Sequence, residues 1–120
     1  MTNKVYLGED GIIHLEYIGD QNLETIKEDD KRLQELAGMM SKKIKPINIL
    51  CDASRIGKQN ASARKAAFDV VNNLHYNKIA LFGLAPFLKS VTNFVIKASG
   101  RFSKVKVFNR EEEAVRWLRE

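Results

Sequence analysis

The sequence predicts a single α/β domain spanning residues 1–120, with a mixed β-sheet and the element order β-β-α-β-α-β-α-β-α. A hairpin-like segment opens the chain, and short apolar runs then alternate with amphipathic stretches of helical spacing. Glycine or proline separates several of these segments. An opening hairpin followed by alternating helices and strands is typical of a sheet covered by helices. A chain of 120 residues is long enough to bury a core without metals or disulfides.

Two strand-like runs begin the chain. Residues 4–7 and 12–18 are separated by the segment Gly-Glu-Asp-Gly at 8–11, a connection typical of a hairpin. In the second run, His14 alternates with apolar neighbours and falls on the face opposite Leu15. His14 has no second metal ligand near it in the sequence, so no metal site is predicted.

A long amphipathic helix is predicted after Gly19-Asp20. Its apolar residues recur at helical spacing, and the other positions are mostly charged. These apolar residues are Leu23, Ile26, Leu33, Leu36, Ala37 and Met40. The charged run at 28–32, Glu-Asp-Asp-Lys-Arg, is predicted to form the solvated face of this helix.

Three more strands and three more helices are predicted after Pro46. Residues 47–51 and 78–83 are nearly continuous apolar runs, which are typical of strands buried on both faces of a sheet. Residues 105–108 form the last strand. One helix is predicted from about Ala63 to Leu74, and a final helix should follow a capping box formed by Asn109 and Glu112.

The third helix is predicted to start at Pro86 and to stop near Gly100. A stripe of apolar residues in it is expected to be buried. This stripe consists of Phe87, Val91, Phe94, Val95 and Ala98.

The net charge of +5 is concentrated in the second half of the chain. Residues 1–60 carry nine Lys or Arg and ten Asp or Glu, whereas residues 61–120 carry eleven and five. No carboxylate lies between Val70 and Arg110, and such a region can attract phosphate, nucleic acid or an acidic protein. Its aromatic residues follow core spacing and do not alternate with the basic residues, so a solvated basic surface is the favoured interpretation and nucleic-acid binding is not predicted.

The composition predicts a cytoplasmic protein of bacterial type. The sequence shows neither a signal peptide at its start nor an apolar run long enough to span a bilayer. Cys51, the single cysteine, lies within an apolar run and is expected to be a reduced core residue. No cofactor is implied.

The crossing from the third strand into the second helix contains most of the candidate functional residues. Asp52 follows a buried strand, and ligands gather at the carboxyl ends of strands in open α/β sheets. A phospho-accepting aspartate needs further carboxylates for magnesium, but the earlier strands end in Leu7-Gly8 and Ile18-Gly19. A turn-forming role is therefore favoured for Asp52. Cys51 lacks a motif-placed histidine, so catalysis is not predicted.

The start of the second helix allows two interpretations. Ser62 or Asn60 can cap the helix, and this capping alone explains their presence. Arg64 and Lys65 follow in the first turn, where positive charge opposes the helix dipole, so an anion or a phosphate on Ser62 would also fit there. The candidate partner- or anion-binding loop consists of Asp52, Ser54, Arg55, Lys58, Asn60, Arg64 and Lys65.

Two segments of the chain resemble a known protein family. The strand end Asp-Ala-Ser-Arg-Ile at 52–56, with a serine at a helix start eight residues after Ser54, resembles the STAS domain of bacterial anti-sigma-factor antagonists. The closing segment at 107–118, VFNREEEAVRWL, resembles the end of the SpoIIAA-like branch of that superfamily. That branch also resembles lipid-binding CRAL-TRIO domains in fold, and its members mostly lack an assigned activity.

In the antagonist family, a partner kinase phosphorylates the second hydroxyl residue of a D-S-S-G or D-S-T-G motif. Ser62 matches this position. The chain departs from the motif at three positions, because Asn60, Ala61 and Ala63 replace the aspartate, the first serine and the glycine.

The preferred hypothesis is a non-enzymatic regulatory or protein-interaction module of STAS type. Its partner would be a regulatory kinase or a target protein, and Ser62 would be the modification point. The alternative is a carrier of a small apolar or anionic, lipid-like ligand. Its pocket would lie beneath the third helix, where Phe87, Val91 and Phe94 are the candidate lining residues.

Overall fold

The element order of the structure is the predicted one, and the prediction of an α/β domain with a mixed sheet is confirmed. The computed structural model describes residues 2–43 and 45–120. The strands are β1 (Lys4–Leu7), β2 (Ile13–Gln21), β3 (Asn48–Gln59), β4 (Lys78–Phe82) and β5 (Val105–Phe108). The helices are α1 (Leu23–Ser41), α2 (Ala61–Asn73), α3 (Pro86–Ser99) and α4 (Glu111–Leu118).

The five strands lie side by side in chain order, β1-β2-β3-β4-β5. β1 pairs antiparallel with β2 through the opening hairpin, and β2 to β5 are parallel. Connections between parallel strands are almost always right-handed. When such connections advance in one direction along a sheet, they place every crossover helix on the same face. Helices α1, α2 and α3 accordingly share one face, and α4 covers the other.

The core on the three-helix face joins β2, β3, β4 and β5 to α1 and α3. Ile13, Leu15 and Ile49 from the sheet are at most a few per cent exposed, and they belong to one cluster with Leu33, Leu36, Met40 and Ile96. The apolar residues of α2 are less enclosed, since Ala63 is its one buried residue and Val70, Val71 and Leu74 are half-buried. The three-helix face is therefore tightly packed around α1 and looser beneath α2 and α3.

The core on the opposite face is small and depends on α4. Ala114, Trp117 and Leu118 pack on Leu50, Ala80 and Phe82 of the sheet, and the ring of Phe108 lies 5.7 Å from that of Trp117. The Lys78 ammonium group donates to the Trp117 carbonyl at 2.8 Å, and the Asn48 amide donates to the Leu118 carbonyl at 3.0 Å. Side chains of the sheet thus satisfy carbonyl groups that the end of a helix leaves free.

The structure corrects the expected exposed face of α1. Most of the charged run at 28–32 is exposed or half-buried, but Asp29 is only 6 % exposed. Asp29 lies three residues after Ile26 and four residues before Leu33, so it shares the helix face that points to the core. Helical position therefore buries this carboxylate despite its charged neighbours.

The structure also corrects the length of β3. The sequence predicted a strand at 47–51 followed by a loop, but β3 continues to Gln59. The extension pairs with the extended end of β2, where Ile18 lies opposite Arg55 and Gly19 lies opposite Ile56. Polar and apolar residues alternate in the first part of the extension, as expected for a strand with one face in solvent.

The burial prediction for α3 is wrong, because none of its five residues is buried: Phe87, Phe94 and Val95 are 77 %, 74 % and 37 % exposed, Ala98 is exposed and Val91 is half-buried. The helix turns a different face to the sheet. That face carries Leu88, Thr92, Ile96 and Ser99 at helical spacing, and Ile96 is the buried residue of the helix. Phe87 and Phe94 are seven residues apart and share the outer face. No helix of the described ranges is long and apolar enough to cross a bilayer.

The predicted capping box of α4 is absent. Arg110 occupies the N-cap position, without a side-chain hydrogen bond to the helix. Asn109 instead accepts a hydrogen bond from the Lys89 ammonium group at 2.6 Å, and this bond links the start of α4 to α3. Glu111, Glu112 and Glu113 complement the helix dipole in the first turn.

Leu118→Ala tests the dependence of the α4 core on a few side chains. Leu118 is 2 % exposed, so we expect the substitution to lower the free energy of unfolding by about 2–5 kcal/mol through lost burial and a cavity. Urea denaturation of the two proteins measures the difference. Arg116→Ala, at an exposed position of the same helix, is the control and should change stability by less than about 0.5 kcal/mol. Equal effects of the two substitutions would contradict the role of Leu118.

Candidate functional site

The candidate residues at the start of the β3 extension form a local hydrogen-bonded pair. One carboxylate oxygen of Asp52 accepts from the Ser54 backbone N–H at 2.9 Å and from the Ser54 hydroxyl at 2.6 Å. Gly83 packs against this segment with a φ of 86°, and a Cβ added there would lie 2.7 Å from the Ser54 nitrogen. No group of His, Cys, Asp or Glu side chains in residues 2–43 and 45–120 is arranged to hold a metal ion. The Asp52 carboxylate therefore stabilises the local backbone through its hydrogen bonds to Ser54.

Arg55 and Lys58 take part in the pairing of β3 with β2. The Arg55 guanidinium lies 3.6 Å from the Glu16 carboxylate, and both side chains are accessible to solvent. The Lys58 backbone N–H donates to the Asp20 carboxylate at 2.8 Å. An exposed ion pair of this kind contributes little to stability. Both basic side chains are therefore available on the surface.

The remaining loop candidates lie at the start of α2. Asn60 is the N-cap, and its side-chain oxygen accepts from the Ala63 N–H at 2.8 Å. Ser62 is exposed in the first turn and does not cap the helix. Arg64 donates to the Gln59 carbonyl at 2.8 Å, and Lys65 is exposed. The capping question left open by the sequence is answered in favour of Asn60.

The eight candidates therefore do not form one cluster. An extended strand rises about 3.3 Å per residue, so the segment from Asp52 to Gln59 separates the two ends by up to roughly 23 Å. Asp52 and Ser54 belong to one end, and Asn60, Ser62, Arg64 and Lys65 belong to the other. Only the group at the start of α2 retains the features of an anion or phosphate site.

A cavity of about 200 Å³ lies on the three-helix face, between the sheet and helices α1, α2 and α3. Its walls are mainly apolar. Representative lining residues are Leu81, Val70, Val71, Leu88, Val91 and Val95. An apolar cavity of about 150 Å³ is large enough to bind benzene, so this cavity has room for a small apolar molecule.

The cavity exists because α2 and α3 do not fill the space above the sheet. Most of their inward side chains are only half-buried. Val91, one of the predicted lining residues, does line the cavity. Phe87 and Phe94 do not, because they point away from the sheet on the outer face of α3.

A hydrogen-bonded network closes one end of the cavity, where Gln21 and Asp29 line it. The Asn3 amide donates to Asp29 at 2.7 Å and to Gln21 at 2.8 Å. The side-chain oxygen of Asn3, Oδ1, accepts a hydrogen bond from the Ile18 backbone N–H at 2.8 Å. Asn3 thus links β2 to α1 and holds the Asp29 carboxylate at the cavity end.

Burial shifts the pKa values of three titratable groups near the cavity. It raises the pKa of Asp29 to about 6, and the nearby Glu28 charge adds to this shift, whereas the hydrogen bond from Asn3 opposes it. It raises the pKa of Cys51 to about 12 and that of Tyr17 well above its ordinary value. The Cys51 thiol is therefore protonated at neutral pH and lacks the thiolate that nucleophilic chemistry requires.

Sequence reasoning missed Asp29 because the residue lies within a charged run. The signal was its position, since residues 26, 29 and 33 have the i, i+3, i+7 spacing of one helix face. Gln21 and Asn3 carried no comparable signal. Their roles depend on how β2 meets α1 in the folded chain.

The sheet order and the two-sided helix cover define a SpoIIAA-like fold of STAS type, and solved structures support this class. The unphosphorylated form of the anti-sigma factor antagonist SpoIIAA is similar, with a TM-score of 0.66 and 11 % identity over 98 % of each chain. An uncharacterised protein of the DUF3478 family with a SpoIIAA-like fold, from Shewanella loihica PV-4, has a TM-score of 0.64 and 15 % identity. That match covers 98 % of this chain and 92 % of the other.

The chain belongs to the family described as Domain of unknown function (DUF7793), whose model matches residues 6–120. Comparison with curated proteins found no match. The predicted resemblance to the SpoIIAA-like branch is confirmed at the level of fold. The identities of 11 % and 15 % show a shared fold and carry no statement about shared partners.

Asp29→Asn tests the buried carboxylate through the pH dependence of stability. The pKa of Asp29 is about 6 in the folded state and near 4 in the unfolded state, so the folded state holds more protons between these values. Stability therefore falls as the pH rises through this window. Between pH 4 and pH 7, we expect the free energy of unfolding of the wild type to fall by on the order of 1–3 kcal/mol because of Asp29. The variant should not show this decrease.

Urea denaturation of both proteins at several pH values measures this difference. Glu35→Gln removes a charge from an exposed position of the same helix that does not contribute to the shift, and it serves as the control. Parallel pH profiles for the wild type and Asp29→Asn would contradict the raised pKa.

Proposed function

We propose that this chain is a non-enzymatic binding module of STAS type that holds a small apolar ligand between the sheet and helices α1, α2 and α3. The observation that carries this proposal is the cavity of about 200 Å³ with mainly apolar walls. Ligand sites in proteins are typically concave and apolar, with a few polar groups that orient the ligand. Here Gln21 and Asp29 supply polar groups at one end.

The packing of α2 and α3 supports the same proposal. Half-buried apolar residues on both helices face the cavity, so a ligand would complete their burial. Burying roughly 250 Å² of apolar surface contributes roughly 6 kcal/mol. Before the costs of association are subtracted, this corresponds to a dissociation constant of tens of micromolar.

We propose a non-enzymatic function because the potentially reactive side chains near the cavity are in unreactive states. The Cys51 thiol is buried and protonated, and its pKa is raised by burial. Asp52 lies outside the cavity and is hydrogen-bonded to Ser54. Neither group is paired with a histidine in the described residues, as an activated nucleophile would be.

Val91→Trp is the direct test of the cavity. Val91 lines the cavity from α3, so a large side chain at this position occupies space that a ligand needs. We expect 1-octanol, added to the purified protein and followed by NMR, to bind the wild type and to bind the variant at least about tenfold more weakly. Native mass spectrometry of the freshly purified wild type tests for a retained ligand.

Phe94→Trp is the matched control, because Phe94 lies on the outer face of the same helix. This variant should bind 1-octanol like the wild type. Circular dichroism establishes that both variants are folded. If a folded Val91→Trp protein binds 1-octanol as well as the wild type does, or if the wild type does not bind it, the cavity proposal is wrong.

We propose regulation by phosphorylation of Ser62 as a second candidate function. Ser62 is exposed in the first turn of α2, where free backbone amides and the helix dipole favour a phosphate dianion. Arg64 and Lys65 lie in the same turn, and Arg55 and Lys58 add positive charge along the β3 extension. The solved SpoIIAA structure is described as the unphosphorylated form of an anti-sigma factor antagonist, which supports a regulatory kinase or target protein as partner here.

Ser62→Asp tests this second candidate. A negative charge in the first turn of α2 should stabilise the protein by about 0.3–1 kcal/mol, and it should change which proteins are captured from a lysate. Ser62→Asn is the neutral control. Mass spectrometry of native protein tests for phosphate on Ser62. The switch is ruled out if Ser62 is unmodified and all three proteins capture the same partners.

A further inference from the structure

The Asp29 carboxylate has one oxygen available to a ligand. Its Oδ2 accepts a hydrogen bond from the Asn3 amide at 2.7 Å. Its Oδ1 has no hydrogen-bond partner among the described residues, although every fully enclosed side-chain N or O atom there has one. Asp29 is only 6 % exposed, and it lines the cavity. Oδ1 is therefore not fully enclosed, and it belongs to a residue that lines the cavity.

In the described part of the chain, Asp29 has no positive side chain beside it. Among residues 2–43 and 45–120, no Lys, Arg or His lies within salt-bridge distance of its carboxylate. The groups around it are the neutral Asn3 and Gln21 amides, the Tyr17 and Cys51 side chains and the like-charged Glu28. A buried carboxylate without a counter-ion is costly, and the pKa raised to about 6 reflects this cost.

We propose that the cavity binds an apolar molecule with a protonated amine head, and that Asp29 receives the amine. This inference rests on the proposed ligand-binding function and specifies its ligand class. The ammonium group donates a hydrogen bond to Asp29 Oδ1 and supplies the missing counter-charge. The apolar chain then lies along the walls formed by residues such as Leu81 and Val91.

The other charged groups at the cavity do not provide an equivalent site. Arg64 also lines the cavity, but it is exposed and donates to the Gln59 carbonyl. Asp30 is half-buried and accepts a hydrogen bond from the Gln34 amide at 3.1 Å. A ligand carboxylate beside Asp29 would face a like charge without a bridging cation, so a fatty-acid head is disfavoured at this end.

Octylamine, 1-octanol and octanoate provide the test, since they share one chain and differ in the head group. Binding is followed by NMR titration of the full chain at pH 7.5, below the micellar concentration of each probe. We expect octylamine to bind the wild type about ten- to a hundredfold more tightly than octanoate, because hydrogen bonds between charged groups contribute that much when buried. Octanol should fall between them.

Asp29→Asn should abolish the preference for octylamine while retaining octanol binding, since the cavity walls are unchanged. Glu28→Gln, which removes the same charge from an exposed neighbouring position, should retain the preference. If octylamine has no advantage, or if its advantage persists in Asp29→Asn, the assignment of the amine is wrong and the cavity proposal stands. If none of the three probes binds the wild type, the cavity proposal itself fails and the amine assignment fails with it.

Discussion

The order of the strands determines how this molecule is built. Because β2 to β5 follow one another in the sheet with right-handed connections, α1, α2 and α3 must share one face. Three helices on one face leave the other face to α4 alone, and its core is correspondingly small. The shared face is crowded near α1, where Leu33, Leu36 and Met40 are buried, and it is open beneath α2 and α3. The cavity is thus a consequence of sheet order combined with the incomplete packing of two helices above the sheet.

The sequence was sufficient to predict the element order, because apolar periodicity reports which segments are buried. It was less informative about which way a helix faces. In α3, Phe87 and Phe94 are the largest apolar side chains, yet the stripe through Leu88 and Ile96 contacts the sheet. When one short helix carries two overlapping apolar stripes, helical periodicity fits both equally well. Tertiary packing then decides which stripe contacts the sheet. The same limit applies to β3, where pairing with β2 extends the strand beyond the apolar run that predicted it.

The predicted site changed more than the fold did. Residues 52–65 were interpreted as one polar loop, and the β3 extension divides them into two separate groups. Asp29 entered the site because α1 places it beside Ile26 and Leu33, which a count of charges along the chain does not reveal. A carboxylate without a counter-ion lowers stability at neutral pH. Residues that lower stability in this way are more often found at functional sites than elsewhere, which is why Asp29 rather than Asp52 is the most informative carboxylate here.

The two candidate functions meet on α2. Ala63 and Arg64 line the cavity, and Ser62 precedes them in the same helical turn. Arg64 donates to the Gln59 carbonyl at the end of β3, and a phosphate on Ser62 would compete with that carbonyl for the guanidinium group. Since Ala63 is the one buried residue of α2, few apolar contacts resist a shift of this turn. If both proposals hold, a charge added at Ser62 would act on a wall of the cavity, and the affinity of the Ser62→Asp protein for 1-octanol would report whether the two sites are coupled.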